Sequence, residues 1–249
     1  MKKNLGILLT TTLASIFLLS ACSSSSQDDI ASPMMNFEAK KGDSGTGEKC
    51  IVGSSCPIGS TGPGGGVVFY DAGSQQPWGR YLEFAPTGWS GSPNDPYDSY
   101  CNFPDFEFGT SATADRLRKR AEDPELQAIL GTEIGKGRAN TEMMFAGCTY
   151  GAAYLTHAYT GGGKNDWFLP SIDELNELCK YVRGQKLGDS KVSCAFNLND
   201  EILPGFVANH YWSSSERGYG KALFIFFNIG EVEDTYKEGL GWVRPVRAF

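Results

Sequence analysis

The chain has 249 residues, 22 of them basic and 29 acidic, for a net charge of −7 at neutral pH. That balance argues against nucleic acid as a partner and against capture of anionic glycans by bulk charge; an anionic ligand would need a local basic patch. About 200 residues beyond the N-terminal segments are one domain's worth of chain and suffice for a full core.

Lys2 and Lys3 precede an apolar run from Leu5 to Leu19, and Leu19-Ser20-Ala21-Cys22 follows. A basic start, a short apolar stretch and small residues before a break describe an export signal over residues 1–21, too short to span a membrane. A cysteine directly after Leu-Ser-Ala matches the bacterial lipobox. Cleavage there and lipidation of Cys22 would anchor the mature chain to a membrane. Loss of Lys2 and Lys3 with the leader leaves 20 basic against 29 acidic residues, a net of −9. Residues 22–49, rich in Ser, Asp, Lys and Gly, bury little and read as a flexible tether. Ser23 rather than Asp after the lipidated cysteine favours the outer membrane, if the organism is Gram-negative.

Residues 50–249 read as one domain. Its six cysteines, Cys50, Cys56, Cys101, Cys148, Cys179 and Cys194, are an even number in an exported chain and point to disulfides. Six cysteines allow fifteen pairings, and sequence does not choose among them. Local proximity suggests Cys50–Cys56 and Cys179–Cys194, leaving Cys101–Cys148. Zinc is the rival reading, but no Cys-x-x-Cys occurs, and His157 and His210 lie far from any cysteine pair.

Gly59 to Gly66 precedes an apolar strand at Val67-Val68-Phe69-Tyr70. A phosphate loop follows a strand and ends in Lys-Ser or Lys-Thr, so a nucleotide site is not supported here. Two or three Gly triplets cannot make a collagen helix either, and the glycines read as a tight turn into the strand. Tyr81 to Ala85 reads as a second strand. A long loop then carries Trp89, Tyr97, Tyr100, Phe103, Phe106 and Phe108 among prolines. Loops of that length are commonly functional or disordered. The rings suit either sugar stacking or a plug for one end of the core.

Ser111 to Leu130 reads as a helix with a basic run, Arg116, Arg118, Lys119 and Arg120, that is a solvated face by default. Thr141 to Tyr159 reads as another, with Asn140 as N-cap and Gly161-Gly162-Gly163 as its stop. The most strongly specified stretch is Asp166 to Leu178. Ser171 and Glu174 make a capping box, and Pro170 keeps Leu169 extended. Ile172, Leu175, Leu178, Cys179 and Val182 form one apolar face. Asp173, Glu174, Glu177 and Lys180 read as a solvated face. Strands follow at Tyr211–Glu216 and Ala222–Ile229, with a turn near Gly230, and Gly241 to Phe249 closes the sheet. Trp212 and Trp242 are expected to face the core. Arg244 and Arg247 would point to opposite faces, one pairing with a carboxylate such as Asp166 or Glu216.

Asp-Trp-Phe-Leu-Pro-Ser-Ile-Asp-Glu-Leu at 166–175, Ile58 to Tyr70, Tyr211 to Glu216 and Val243 to Phe249 occur in the order seen in one family. The chain resembles the domain found at the C-terminus of the Legionella collagen-like adhesin and in many bacterial surface lipoproteins. The resemblance implies an α+β fold of the C-type-lectin-like or sulfatase-modifying-factor-like kind, with helices packed on an antiparallel sheet and stabilised by disulfides. It further implies a surface-anchored, adhesin-like module that recognises glycan or extracellular polysaccharide. Candidate contacts are Trp89, Tyr97, Asp166, Asn176, Glu216 and Arg244. The alternative is a structural or protein-interaction domain of the envelope without a small ligand. Trimers occur in the adhesin, so a homo-oligomer is compatible.

No enzyme is expected. Gly-x-Ser-x-Gly, His-Glu-x-x-His and Ser-x-x-Lys are absent from the sequence. Formylglycine-generating relatives need cysteines near the C-terminus, whereas Cys194 is the last one here. Neither a calcium loop nor the calcium–sugar triplet of true C-type lectins is found; Pro93-Asn94-Asp95 is a faint echo. No metal or cofactor is expected.

Overall fold

The computed structural model describes residues 49–51, 53–101, 131–145, 148–198, 201–217 and 220–249. The expected leader, Cys22, nearly all of the tether, the helix over 111–130 with its basic run, and the rings of Phe103, Phe106 and Phe108 lie outside the described residues.

Two sheets and three α-helices make up the described part. Strands β1 (Val67–Gln76) and β2 (Gly79–Phe84) form a hairpin, and β8 (Val246–Ala248) pairs with β2. The second sheet runs β3 (Tyr97–Ser99), β7 (Leu240–Trp242), β4 (His210–Glu216), β5 (Lys221–Phe226), β6 (Val232–Tyr236). Its pairs are antiparallel except β4 with β7, which is parallel. The expectation of one antiparallel sheet closed by Gly241–Phe249 is therefore corrected. The closing segment divides at Val243-Arg244-Pro245, and its two short strands enter different sheets. Pro245 has no N–H for a ladder, which suits the break between them. A bridge between Phe168 and Val246 joins the segment before the central helix to β8.

Side-chain alternation along β4 and β5 buries both faces of the larger sheet. Tyr211, Ile225 and Phe227 join a core with Phe69, Leu82, Phe84, Leu175, Leu178 and Val246. Trp212, Ala222 and Phe224 turn the other way, to Tyr100, Met144, Ala152, Ala153 and Leu169. Trp212 is fully buried, while Trp242 is only half-buried at the edge of the first core.

The expected helix over 141–159 is two helices, α1 (Gly137–Phe145) and α2 (Ala152–Ala158). Cys148 lies between them and bonds Cys101. Gly151 has φ 95°, and a Cβ there would sit 2.8 Å from the Ser99 carbonyl oxygen. Close packing on the 99–101 backbone thus breaks the helix. Asn140 is no N-cap; it lies inside α1, fully buried, with Nδ2 donating to the Gly131 carbonyl at 2.9 Å and to Ser214 Oγ at 3.2 Å.

The central helix α3 (Ile172–Val182) starts as its sequence requires, with both halves of the capping box formed. Ile172 N–H also donates to Ser215 Oγ at 3.0 Å and Asp173 N–H to the Thr132 carbonyl at 3.0 Å. Its polar side is not a solvated face. Glu174 and Glu177 are fully buried and Lys180 nearly so. The 131–137 and 184–195 loops cover that side and use the charges as anchors. Glu174 accepts Gly135 N–H at 2.8 Å; Glu177 binds Lys180 Nζ and Gly188 N–H, each at 2.8 Å.

The three disulfides pair Cys50–Cys56, Cys101–Cys148 and Cys179–Cys194, with Cα separations of 4.8, 5.3 and 5.9 Å. This is the pairing that local proximity suggested.

The glycine-rich turn wraps a carboxylate of the protein itself. Gly64 N–H donates to Glu83 Oε1 at 2.9 Å and Gly66 N–H to Oε2 at 3.0 Å. A Cβ at Gly62 would meet Glu83 Oε2, and one at Gly64 would lie 2.8 Å from both Glu83 Oε1 and the Trp167 ring. Gly62→Ala and Gly64→Ala should each destabilise the domain by about 2 kcal/mol or more, because the overpacked site has rigid neighbours. Urea midpoints check this, and an unchanged midpoint would contradict it.

Burial pushes the Glu174 carboxyl up to about 7, against the hydrogen bonds from Ser171, Gly135 and Gly137. The folded chain then holds this proton more tightly than the unfolded chain, whose value is near 4.5. Stability from this group is full below about 4.5 and is lost as pH rises through about 7, a change on the order of 3 kcal/mol. Glu174→Gln should flatten that part of the stability–pH curve relative to wild type. Parallel slopes for the two proteins would count against it.

Candidate functional site

Three short segments meet around a cleft. Helix α1 supplies Arg138, Thr141 and Glu142, α2 supplies His157, and the extended run into α3 supplies Asn165, Asp166, Trp167 and Phe168. The cavity volume is about 20 Å³, room for about one water molecule, so the cleft is a shallow indentation and not a preformed pocket for a sugar ring.

Each wall follows from local chemistry. Thr141 Oγ1 accepts Leu169 N–H at 2.9 Å and lies 2.8 Å from the Gly137 carbonyl, so one hydroxyl seats the 165–169 run against α1. Phe168 is held by its two hydrogen bonds with Val246, and Trp167 Nε1 donates to the Gly161 carbonyl at 3.1 Å. The His157 ring stacks on Phe145 with centroids 3.7 Å apart. Arg138 and Glu142, one helical turn apart, pair at 3.2 Å on the rim, and both are more than half exposed.

Asp166 stands between the cleft and the interior. Its Oδ1 accepts Arg247 Nε at 2.5 Å. Arg247 Nη1 reaches Glu83 Oε1 at 2.9 Å, so one guanidinium bridges two carboxylates. Burial pushes the Glu83 carboxyl up from its ordinary value, against Arg247 and the Gly64 and Gly66 amides. Asp166 retains its second oxygen, and its side chain is 21 % exposed. Neither the Asn165 amide nor the His157 imidazole makes a hydrogen bond among the described residues. The cleft thus offers a carboxylate, an amide, an imidazole and a guanidinium at its rim, while the Trp167 and Phe168 rings beneath are each only 2 % exposed. Its charged lining residues are one base, Arg138, and two acids, Glu142 and Asp166, and its polar groups unpartnered among the described residues are the Asn165 amide and the His157 imidazole. Among the described residues no three His, Cys, Asp or Glu side chains converge as a metal site.

Of the residues singled out from sequence, only Asp166 lines this cleft. Arg244 is 1 % exposed and serves a second buried centre. It pairs with Asp95 at 2.8 Å and donates to the Ala85 carbonyl at 2.8 Å and to the Gly205 carbonyl. Asp95 also accepts the Tyr211 hydroxyl and Trp89 Nε1, each at 2.8 Å. Burial pushes the Asp95 carboxyl up, against Arg244, Tyr211 and Trp89. Trp89 is half-buried, edge-on to Tyr159, and belongs to that centre. Asn176 faces inward, accepting Cys194 N–H at 2.7 Å and donating to the Val192 carbonyl at 3.0 Å. Glu216 pairs with Lys237 at 2.9 Å, both nearly buried. Tyr97 is 47 % exposed on β3, packed on Trp242 and His210. Tyr100, expected in the aromatic loop, is core.

Sequence reasoning missed Arg138, Glu142, His157 and Asn165. Asn165 adjoins the Asp-Trp-Phe-Leu-Pro-Ser stretch and could have been added to it; the other three needed the helices placed. Trp89→Phe keeps a ring beside Tyr159 but strips a donor from Asp95. It should cost about 1–2 kcal/mol in denaturant unfolding, and a neutral effect would free Trp89 from its structural role.

No curated protein matches the chain. Residues 127–247, a little under half of it, match the family model described as the Lcl C-terminal domain, an adhesin-like domain consistent with a surface binding module. Every cleft residue lies within the matched stretch, whereas Trp89 and Tyr97 lie before it.

Proposed function

We propose that the protein is a binding module of the bacterial cell envelope, exported and anchored by lipid on Cys22, with a C-type-lectin-like head that recognises glycan. The observation that carries this reading is the cleft between α1, α2 and residues 165–168. It lies wholly within the stretch that matches the Lcl C-terminal domain, and its His157 and Asn165 side chains make no hydrogen bond among the described residues. Its acidic excess, Glu142 and Asp166 against Arg138, favours a neutral sugar over a sulfated or carboxylated one. Binding without catalysis is the economical reading, since the described charges near the cleft are held by one another.

A second reading is a structural or protein-interaction domain of the envelope. It is favoured by the inward use of Asn176, Glu216 and Arg244, which leaves the rest of the polar signature to the fold.

Screening the oxidised mature chain on a glycan array, with calcium and with chelator, separates the two. Selective binding to a neutral sugar class is expected. His157→Ala and Asn165→Ala should each weaken it about tenfold, the worth of one or two directed hydrogen bonds, with melting unchanged. A blank array from folded protein would favour the structural reading, and binding indifferent to both substitutions would move the site elsewhere.

A further inference from the structure

The cleft between α1 and α2 continues into a run of three near-parallel rings. His157 lines the cleft, and Phe145 of α1 lies against it with centroids 3.7 Å apart and planes 11° from parallel. Tyr154 of α2 stacks in turn on Phe145 at 6.0 Å and 23°. Tyr154 and His157 are three residues apart on α2 and so share one side of it. Both lean on Phe145, which is itself half-buried and fixes their spacing. Tyr154 is 41 % exposed.

The indentation holds about one water molecule. A pocket that reads the end of a sugar chain has to close around the terminal unit, and this one has no room for it. A sugar held by His157, Asn165 and Asp166 therefore lies on the surface, and the units joined to it remain outside. Arg138 and Glu142 on the rim are engaged with each other. The run of rings is the continuation that remains open. Tyrosine suits such a place, because its flat apolar face packs against the C–H face of a sugar at small cost in side-chain entropy.

On the reading of this cleft as a glycan site, we propose that it takes the side of a sugar chain rather than its end, with Tyr154 as a second subsite. One unit lies over His157, Asn165 and Asp166, and the adjoining unit stacks on the Tyr154 ring. The ligand class is then a neutral polysaccharide, bound along its length with both of its ends free.

The test titrates the oxidised mature chain by calorimetry with the methyl glycosides of glucose, galactose and mannose and with their matching di- and hexasaccharides. In the series that binds, the disaccharide should bind about fivefold or more tightly than the methyl glycoside, the worth of one ring stack. Tyr154→Ala should erase that difference and leave the methyl glycoside where it was, whereas Tyr154→Phe should keep it. A hexasaccharide carrying bulky groups at both ends should bind as well as the free one. Equal affinity for one unit and for two, an advantage that survives Tyr154→Ala, or loss of binding on blocking the ends would each overturn the proposal and leave the cleft a glycan site. So would loss of the methyl glycoside together with the disaccharide in Tyr154→Ala, which would make the ring a prop for His157. If the folded chain binds none of these sugars, the glycan reading itself fails and the subsite with it.

Discussion

Glu83 must leave water for the domain to close, and an isolated carboxylate cannot do so cheaply. An unpaired buried charge costs several kcal/mol even after relaxation, about 3–5 when a partner is removed. Three distant segments meet this demand together. The glycine turn supplies two backbone N–H groups, β8 supplies Arg247, and Asp166 takes the far side of the same guanidinium. The start of the domain, its last strand and the lead-in to its central helix are thereby fixed to one point. The absence of Cβ atoms at positions 62, 64 and 66 lets the backbone approach that point.

The same device recurs where strands are short and loops long. Asp95 gathers Arg244, Tyr211 and Trp89; Glu177 and Lys180 tie α3 to Gly188 and Asp189; Glu216 holds Lys237. Irregular backbone cannot satisfy all of its own donors and acceptors, and buried charge does so over longer reach. The cleft is built on this frame. Arg247 holds Asp166 by one oxygen while the side chain stays 21 % exposed beside the cleft, so a folding contact also orients a candidate binding group.

Features with local causes were legible in the sequence. The capping box of Ser171 and Glu174, the strands beginning at Val67 and Tyr211, and the short-range pairings Cys50–Cys56 and Cys179–Cys194 each rest on residues close in the chain. Features decided by distant contacts were not. The polar side of α3 has the composition of a solvated face, and only the two loops laid over it reveal Glu174 and Glu177 as buried. Gly151 breaks a continuous helical pattern because residues 99–101 pass against it. Arg244 could be expected to seek a carboxylate, but Asp95, 149 positions earlier, carried no mark of that role. The cleft suffered likewise: Asp166 was legible within its motif, whereas Arg138, His157 and Asn165 converge only when α1 and α2 are in place.

A double-mutant cycle on Glu83→Gln and Arg247→Met, read by denaturant unfolding, tests most directly whether this buried centre holds the domain together. Each single change should cost about 3 kcal/mol or more, since it strands the other charge, and the double should cost clearly less than their sum, with a coupling of about 2 kcal/mol. Additive losses, or single losses below about 0.5 kcal/mol, would show that the pair is incidental and that the fold is held elsewhere.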